Sequence, residues 1–140
     1  MRRLSLSLFV VALLVGTVGA LAVTESLKLN GSLIGVPRFT AVFSPGCHCP
    51  TRKAVLSFRL NRPDRLDLVV VSDGKEVRTL LENAQRSTGR VRVRWNGKDD
   101  SGAIVPDGVY RLRVGFRKAD RTIVIPEDIE VDSQPSAAAA

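Results

Sequence analysis

Histidine occurs once in these 140 residues, tryptophan once, tyrosine once and cysteine twice. A Ser–His–Asp set would have to be built on His48, and no G-x-S-x-G elbow accompanies it. No glycine-rich loop leads from a strand into a helix, so the usual phosphate cradle is missing. A carboxylate pair for glycoside chemistry would need a cleft that a chain this short rarely builds. The two cysteines, Cys47 and Cys49, are too close to staple a fold, because the loop they would close holds almost no chain entropy. Helical periodicity never lasts more than two turns after Val23. These gaps argue against an enzyme, and no catalytic residue or cofactor is expected.

What is present is an ordinary globular composition, 44% apolar and 25% charged. The length leaves room for one domain of about 100 residues. The net charge is +7, and Arg2 and Arg3 account for two of those positives, leaving +5 after Val23. A basic domain favours anionic neighbours such as lipid head groups, acidic surface polymers or nucleic acid, although the same charge also serves solubility.

Met1-Arg2-Arg3 precedes Leu4–Val23, a run of 20 mostly apolar residues with no charge before Glu25. That length suits a helix of bilayer thickness, and the positive end should stay in the cytoplasm. Residues 1–23 are therefore expected to be a signal-anchor, with the C-terminal domain outside the cell. Ala20-Leu21-Ala22 offers an alternative: cleavage after Ala22 and secretion. A linker follows over 24–37, with a short edge strand anticipated near Ser32–Ile34. The folded domain is placed at 38–132, and a low-complexity tail expected to be disordered at 133–140.

Within the domain the apolar residues alternate. Ala54, Leu56, Phe58 and Leu60 share one strand face; Leu66, Leu68 and Val70 share another. Asp73-Gly74 reads as a tight hairpin turn leading into Glu76–Leu81. Glu82–Gly89 is polar and reads as a loop crossing between sheets. Val91, Val93 and Trp95 then face inward against Arg90, Arg92 and Arg94, and Tyr110, Leu112, Val114 and Phe116 against Arg111, Arg113 and Arg117. Arg121–Ile125 and Ile129–Val131 form a last strand interrupted at Pro126. Short strands with regular turn signals predict an all-β, Ig-like or fibronectin-III-like antiparallel sandwich, preceded by the single N-terminal hydrophobic helix.

Between two arginine-alternating strands lies Trp95–Tyr110, WNGKDDSGAIVPDGVY. It reads as a hairpin corner in which Trp95 plugs the core. Gly97, Gly102 and Gly108 allow backbone closed to other residues, and Asp99, Asp100 and Asp107 cap local turns. The order NGKDDSG does not follow a calcium-loop spacing, so no metal is expected there. Cys47-His48-Cys49 leaves three readings open: a local disulfide, an intermolecular one, or a soft metal or redox site lacking a fourth ligand. Arg90, Arg92 and Arg94, with Arg111, Arg113 and Arg59, would form one basic face if their strands pair. No exposed aromatics interleave with them, so nucleic acid is not the expected partner.

Three segments together resemble the immunoglobulin-like repeat at the C-terminal end of flagellar hook-capping proteins, the FlgD/Vpr type. They are Phe43-Ser44-Pro45; the turn followed by Val77-Arg78-Thr79-Leu80; and Trp95 through Gly97, Asp99, Gly102, Pro106, Gly108 and Tyr110. The resemblance implies a non-catalytic spacer, interaction or assembly module of surface proteins. Its partner would be an envelope protein, or an anionic surface polymer or lipid, with the membrane engaged through the N-terminal helix. Hook capping is not expected, since no flagellar assembly region is read ahead of the domain. Gly46-Cys47-His48-Cys49-Pro50 departs from the Asn/Asp/Gly-rich turn that relatives often carry. The alternative function is an extracytoplasmic thiol-redox or copper-binding protein using that loop.

Overall fold

The computed structural model describes residues 7–15 and 31–134. Residues 7–15 are helical. Among the described residues no helix is long and apolar enough to cross a membrane. The remainder of the expected Leu4–Val23 segment, its Ala20-Leu21-Ala22 pattern and tail residues 135–140 lie outside the described residues.

From Leu33 on, the described residues form a compact unit by themselves. Its strands are β1 (Ile34–Phe39), β2 (Val42–Phe43), β3 (Ala54–Leu60), β4 (Asp64–Ser72), β5 (Lys75–Arg86), β6 (Gly89–Trp95), β7 (Gly108–Phe116), β8 (Arg121–Val124) and β9 (Ile129–Val131). They form two sheets, one ordered β1-β3-β6 and the other β2-β9-β7-β4-β5. β8 and β9 pair with successive halves of the same side of β7, so the break at Pro126 divides one strand into two. Leu33, just ahead of β1, is buried in the core.

One apolar cluster lies between the sheets. Leu56, Phe58, Leu60, Val91 and Trp95 come from the smaller sheet; Leu66, Leu68, Val70, Leu112, Val114 and Phe116 come from the larger. These are the alternating positions read from the sequence. Each fully buried Leu or Phe contributes about 1.5–3 kcal/mol, which supplies the stability that the cysteines cannot. At the β4–β5 hairpin Asp73 (φ 49°) and Gly74 (φ 75°) are both left-handed, as a two-residue turn between right-twisted strands requires.

Four expectations change. The polar run after Leu81 is not a loop: β5 continues to Arg86, with Ala84, Gln85 and Arg86 paired to Leu66, Arg65 and Asp64. An edge strand needs few apolar residues, so its polar composition hid it. The crossing to β6 needs only residues 87–88. Trp95–Tyr110 is a corner but not a hairpin, because β6 and β7 belong to different sheets. The pair β2–β9 is parallel within an otherwise antiparallel fold. The chain changes sheet after β1 and β2 covers the free edge of β9.

The fourth change concerns the arginines. β6 pairs with β3 while β7 pairs with β4, so Arg90, Arg92, Arg94 and Arg59 stand on one sheet and Arg111 and Arg113 on the other. There is no single ladder.

Two aspartates tie distant strands together. Asp64, 4% exposed, accepts from the backbone N–H of Arg65 (2.6 Å), Lys118 (2.8 Å) and Ala119 (3.2 Å), fixing the β7–β8 turn on the start of β4. Asp64→Ala strands those donors and is expected to cost about 1–3 kcal/mol in urea unfolding. Asp64→Asn keeps one acceptor oxygen and should lose less. Asp67 takes a bidentate pair from Arg117 (2.8 and 3.0 Å) and the N–H of Asn83 (2.7 Å), the left-handed residue (φ 47°) beside the β4–β5 bulge.

The Arg117 bond first, then the Asn83 N–H, hold the Asp67 carboxyl below its ordinary 3.8. A depressed carboxyl contributes stability that is present above its unfolded value and lost as pH falls through the folded one. Wild-type protein should therefore lose stability below about pH 4 more steeply than Asp67→Asn, measured by urea unfolding at stepped pH.

Candidate functional site

The family-marking residues converge on the corner between the sheets. Trp95, 1% exposed, ends β6 and packs edge-on against Phe43 (ring centroids 5.4 Å apart, planes at 60°) and Tyr110 (5.2 Å, 62°). Its Nε1–H donates to the Lys98 carbonyl at 2.9 Å, so its one polar atom is satisfied by its own loop. Tyr110 opens the buried part of β7 and its hydroxyl donates to the Pro106 carbonyl at 2.7 Å, the arrangement of a tyrosine corner. Burial first, then the nearby carboxylates of Asp107 and Asp73, push that hydroxyl's pKa upward. It is a buried neutral strut and not a proton donor poised near pH 7.

Gly97 is required by geometry as well as by φ (+71°). A Cβ there would lie 2.5 Å from Pro45 Cβ and 3.2 Å from Phe43 Cε2. The Phe43-Ser44-Pro45 and Trp95–Tyr110 segments are thus two halves of one packed joint.

The carboxylates of the corner are spent on the backbone. Asp99 Oδ1 accepts from the N–H groups of Ser101 (2.9 Å) and Ala103 (3.0 Å) and from the Ser101 hydroxyl (2.6 Å). Its pKa is lowered chiefly by the Ser101 hydroxyl, with the backbone donors adding to it. Asp100 accepts from Thr79 N–H at 3.0 Å and its own N–H donates to the Val77 carbonyl at 3.1 Å. The corner loop thereby covers the edge of β5, which would otherwise offer free pairing groups. Asp107 takes the N–H (2.9 Å) and hydroxyl of Ser133, anchoring the chain beyond β9. The three carboxylates diverge toward separate partners, and among the described residues no group of three acidic, His or Cys side chains is placed to hold a metal.

Cys47 and Cys49 are joined in a disulfide. With both sulfurs so bonded, the loop presents no thiolate to a soft metal. His48 is exposed between them, and the loop is closed at its base by Ser44 N–H donating to Thr51 O at 3.0 Å. Cys47–Cys49 hangs on the Phe43-Ser44-Pro45 half of the joint, so the sequence's two singular features are neighbours.

The two outer faces carry arginine differently. On the larger sheet Arg111 meets Asp128 at 2.7 Å, Arg113 meets Glu76, and Arg117 meets Asp67. On the smaller sheet Arg38, Arg59, Arg90, Arg92 and Arg94 are all exposed, and β1, β3 and β6 contain no acidic residue. The sequence showed the arginines; only the strand pairing sorts them into paired and unpaired sets.

No curated protein matches the chain. The chain is similar to the crystal structure of FlgD from P. aeruginosa, with 24% identity over 67% of this chain and 71% of that one, and a TM-score of 0.49. The family model described as the FlgD Ig-like domain matches residues 53–120. Those residues contain β3 through the β7–β8 turn, with the Trp95–Tyr110 corner at their centre. This segment, just under half of the chain, thus carries the FlgD Ig-like domain.

Proposed function

We propose that this protein is a non-catalytic Ig-like module of the bacterial envelope, held or released outside the cytoplasm, where it serves as a structural or interaction element. The observation that carries the reading is the corner. Four side chains of the family-marking stretch bond within the joint: Trp95 to Lys98, Tyr110 to Pro106, Asp99 to its own loop and Asp100 to β5. A site that binds or transforms a small molecule keeps some polar groups free to converge on it.

Two features support an extracytoplasmic setting. The Cys47–Cys49 disulfide fits an oxidising compartment. The Met1-Arg2-Arg3 start followed by Leu4–Val23 has the composition of a signal-anchor or signal peptide.

A test is to fuse alkaline phosphatase, an enzyme that needs its own disulfides, to the C-terminus. Activity in whole cells is expected; an inactive fusion with an active cytoplasmic reporter at the same position overturns the reading. N-terminal sequencing of the mature protein then separates the two routes. A start at Val23 means cleavage, and an intact N-terminus with the protein in the membrane fraction means a single-pass anchor.

A further inference from the structure

We infer that the outer face of the β1-β3-β6 sheet is a docking surface for anionic phospholipid head groups. The inference rests on the proposed membrane tether and names what the tethered domain touches.

Register places the five arginines in rows. Arg38 of β1 stands beside Ser57 of β3, which stands beside Arg92 of β6; Gly35, Arg59 and Arg90 form the next row; Val55 and Arg94 the third. Along β6 the arginines recur at every second residue, roughly 7 Å apart, and neighbouring strands lie about 4.8 Å apart. Arg59 and Arg90 are direct cross-strand partners. Like charges so placed destabilise a sheet, and this fold supplies no carboxylate on these strands to offset them. The larger sheet of the same domain shows the alternative, since each of Arg111, Arg113 and Arg117 has an acidic partner. One face is internally neutralised and the other is left to find its anion outside the molecule.

The character of the face selects among anions. Arginine presents a planar fork that matches phosphate oxygens bidentately. Ser57 (5% exposed) and Val55 lie between the arginines, and no aromatic ring projects from this face, so bases would have nothing to stack on. The surface is a flat grid of cations, suited to a plane of phosphates. In sequence, β1 follows the apolar run by only Thr24–Ser32 and the buried Leu33. A chain held in a bilayer through that run keeps this sheet in the neighbourhood of head groups.

The test uses the full chain with lipid nanodiscs of pure phosphatidylcholine or of phosphatidylcholine mixed with phosphatidylglycerol. Arginine modification by phenylglyoxal is mapped by mass spectrometry. In the anionic discs Arg38, Arg59, Arg90, Arg92 and Arg94 should react about fivefold or more slowly than in neutral discs, while Arg111, Arg113 and Arg117 are unchanged. The protection should vanish near 1 M salt, where screening reaches about 3 Å. The triple variant Arg90→Gln, Arg92→Gln, Arg94→Gln, shown to be folded by its Trp95 fluorescence melt, should lose the protection of Arg38 and Arg59 as well.

A chain held by both kinds of disc with identical labelling keeps the anchor and overturns the docking. A chain that joins neither disc yet is protected by the anionic ones upholds the docking and removes the anchor. Equal protection of both sheets, or stronger protection by a DNA duplex, overturns the assignment.

Discussion

Replacing Trp95 by alanine is expected to remove about 3–5 kcal/mol of stability. The indole is 1% exposed, closes the core where β6 leaves its sheet, and touches Phe43 and Tyr110 edge-on. Its removal leaves a cavity bounded by two rings whose partner is gone, and it frees the Lys98 carbonyl. Each edge-to-face contact adds about 0.5–1.5 kcal/mol beyond area burial. A domain of this size is stable by only about 5–15 kcal/mol, so the variant should be partly unfolded at growth temperature. Urea unfolding followed by far-UV circular dichroism measures it. Trp95→Phe keeps most of the volume and should lose much less. A loss under about 1 kcal/mol for Trp95→Ala would mean that the corner does not hold the sheets together.

The second large effect is at Gly97. Gly97→Ala places a Cβ 2.5 Å from Pro45 Cβ and 2.7 Å from Pro45 Cγ, and a pyrrolidine ring cannot swing aside. The substitution also forces a left-handed φ of +71° on alanine, which alone costs about 1–2 kcal/mol. With the clash, the expected loss is about 3 kcal/mol. The two causes are separable. In a Pro45→Gly background the clash is relieved, so Gly97→Ala should cost only the backbone share. An unchanged cost in that background would mean that Pro45 and Gly97 do not meet.

Much of this arrangement is readable from residue order. A period of two set the inward faces of β3, β4, β6 and β7, and Asp73-Gly74 marked its turn through the φ it demands. The corner was recognisable because the chain's one tryptophan and one tyrosine, Trp95 and Tyr110, bracket Gly97, Gly102 and Gly108. What the order concealed has physical reasons. The end of β5 is polar because one of its sides faces solvent, so no apolar alternation marks it. Asp64 and Asp67 reach partners 54 and 50 residues away, and nothing local marks a carboxylate that will cap a distant turn. The arginines of β6 and β7 look alike in sequence. Strand pairing alone puts acids beside one set and none beside the other.

The division of labour within the domain follows from that sorting. The corner and the Phe43-Ser44-Pro45 segment are given over to stability. Asp64, Asp67, Asp99, Asp100 and Asp107 are used internally on turns and edges, and Glu76 and Asp128 pair with arginines of the larger sheet. β1, β3 and β6 present exposed arginines with no acidic residue among them, and a small disulfide loop lies at the joint.

Trp95–Tyr110 is a structural joint and not a mobile binding loop. Native-state hydrogen exchange tests it most directly, read at the Trp95 indole N–H and at the amide of Val105, which bonds the Gly97 carbonyl at 2.9 Å. A joint opens only when the domain unfolds, so both protons should exchange with the protection of the β4 and β7 core amides. Exchange orders of magnitude faster than the core, with the strands still protected, would show a loop that opens by itself and would contradict the account.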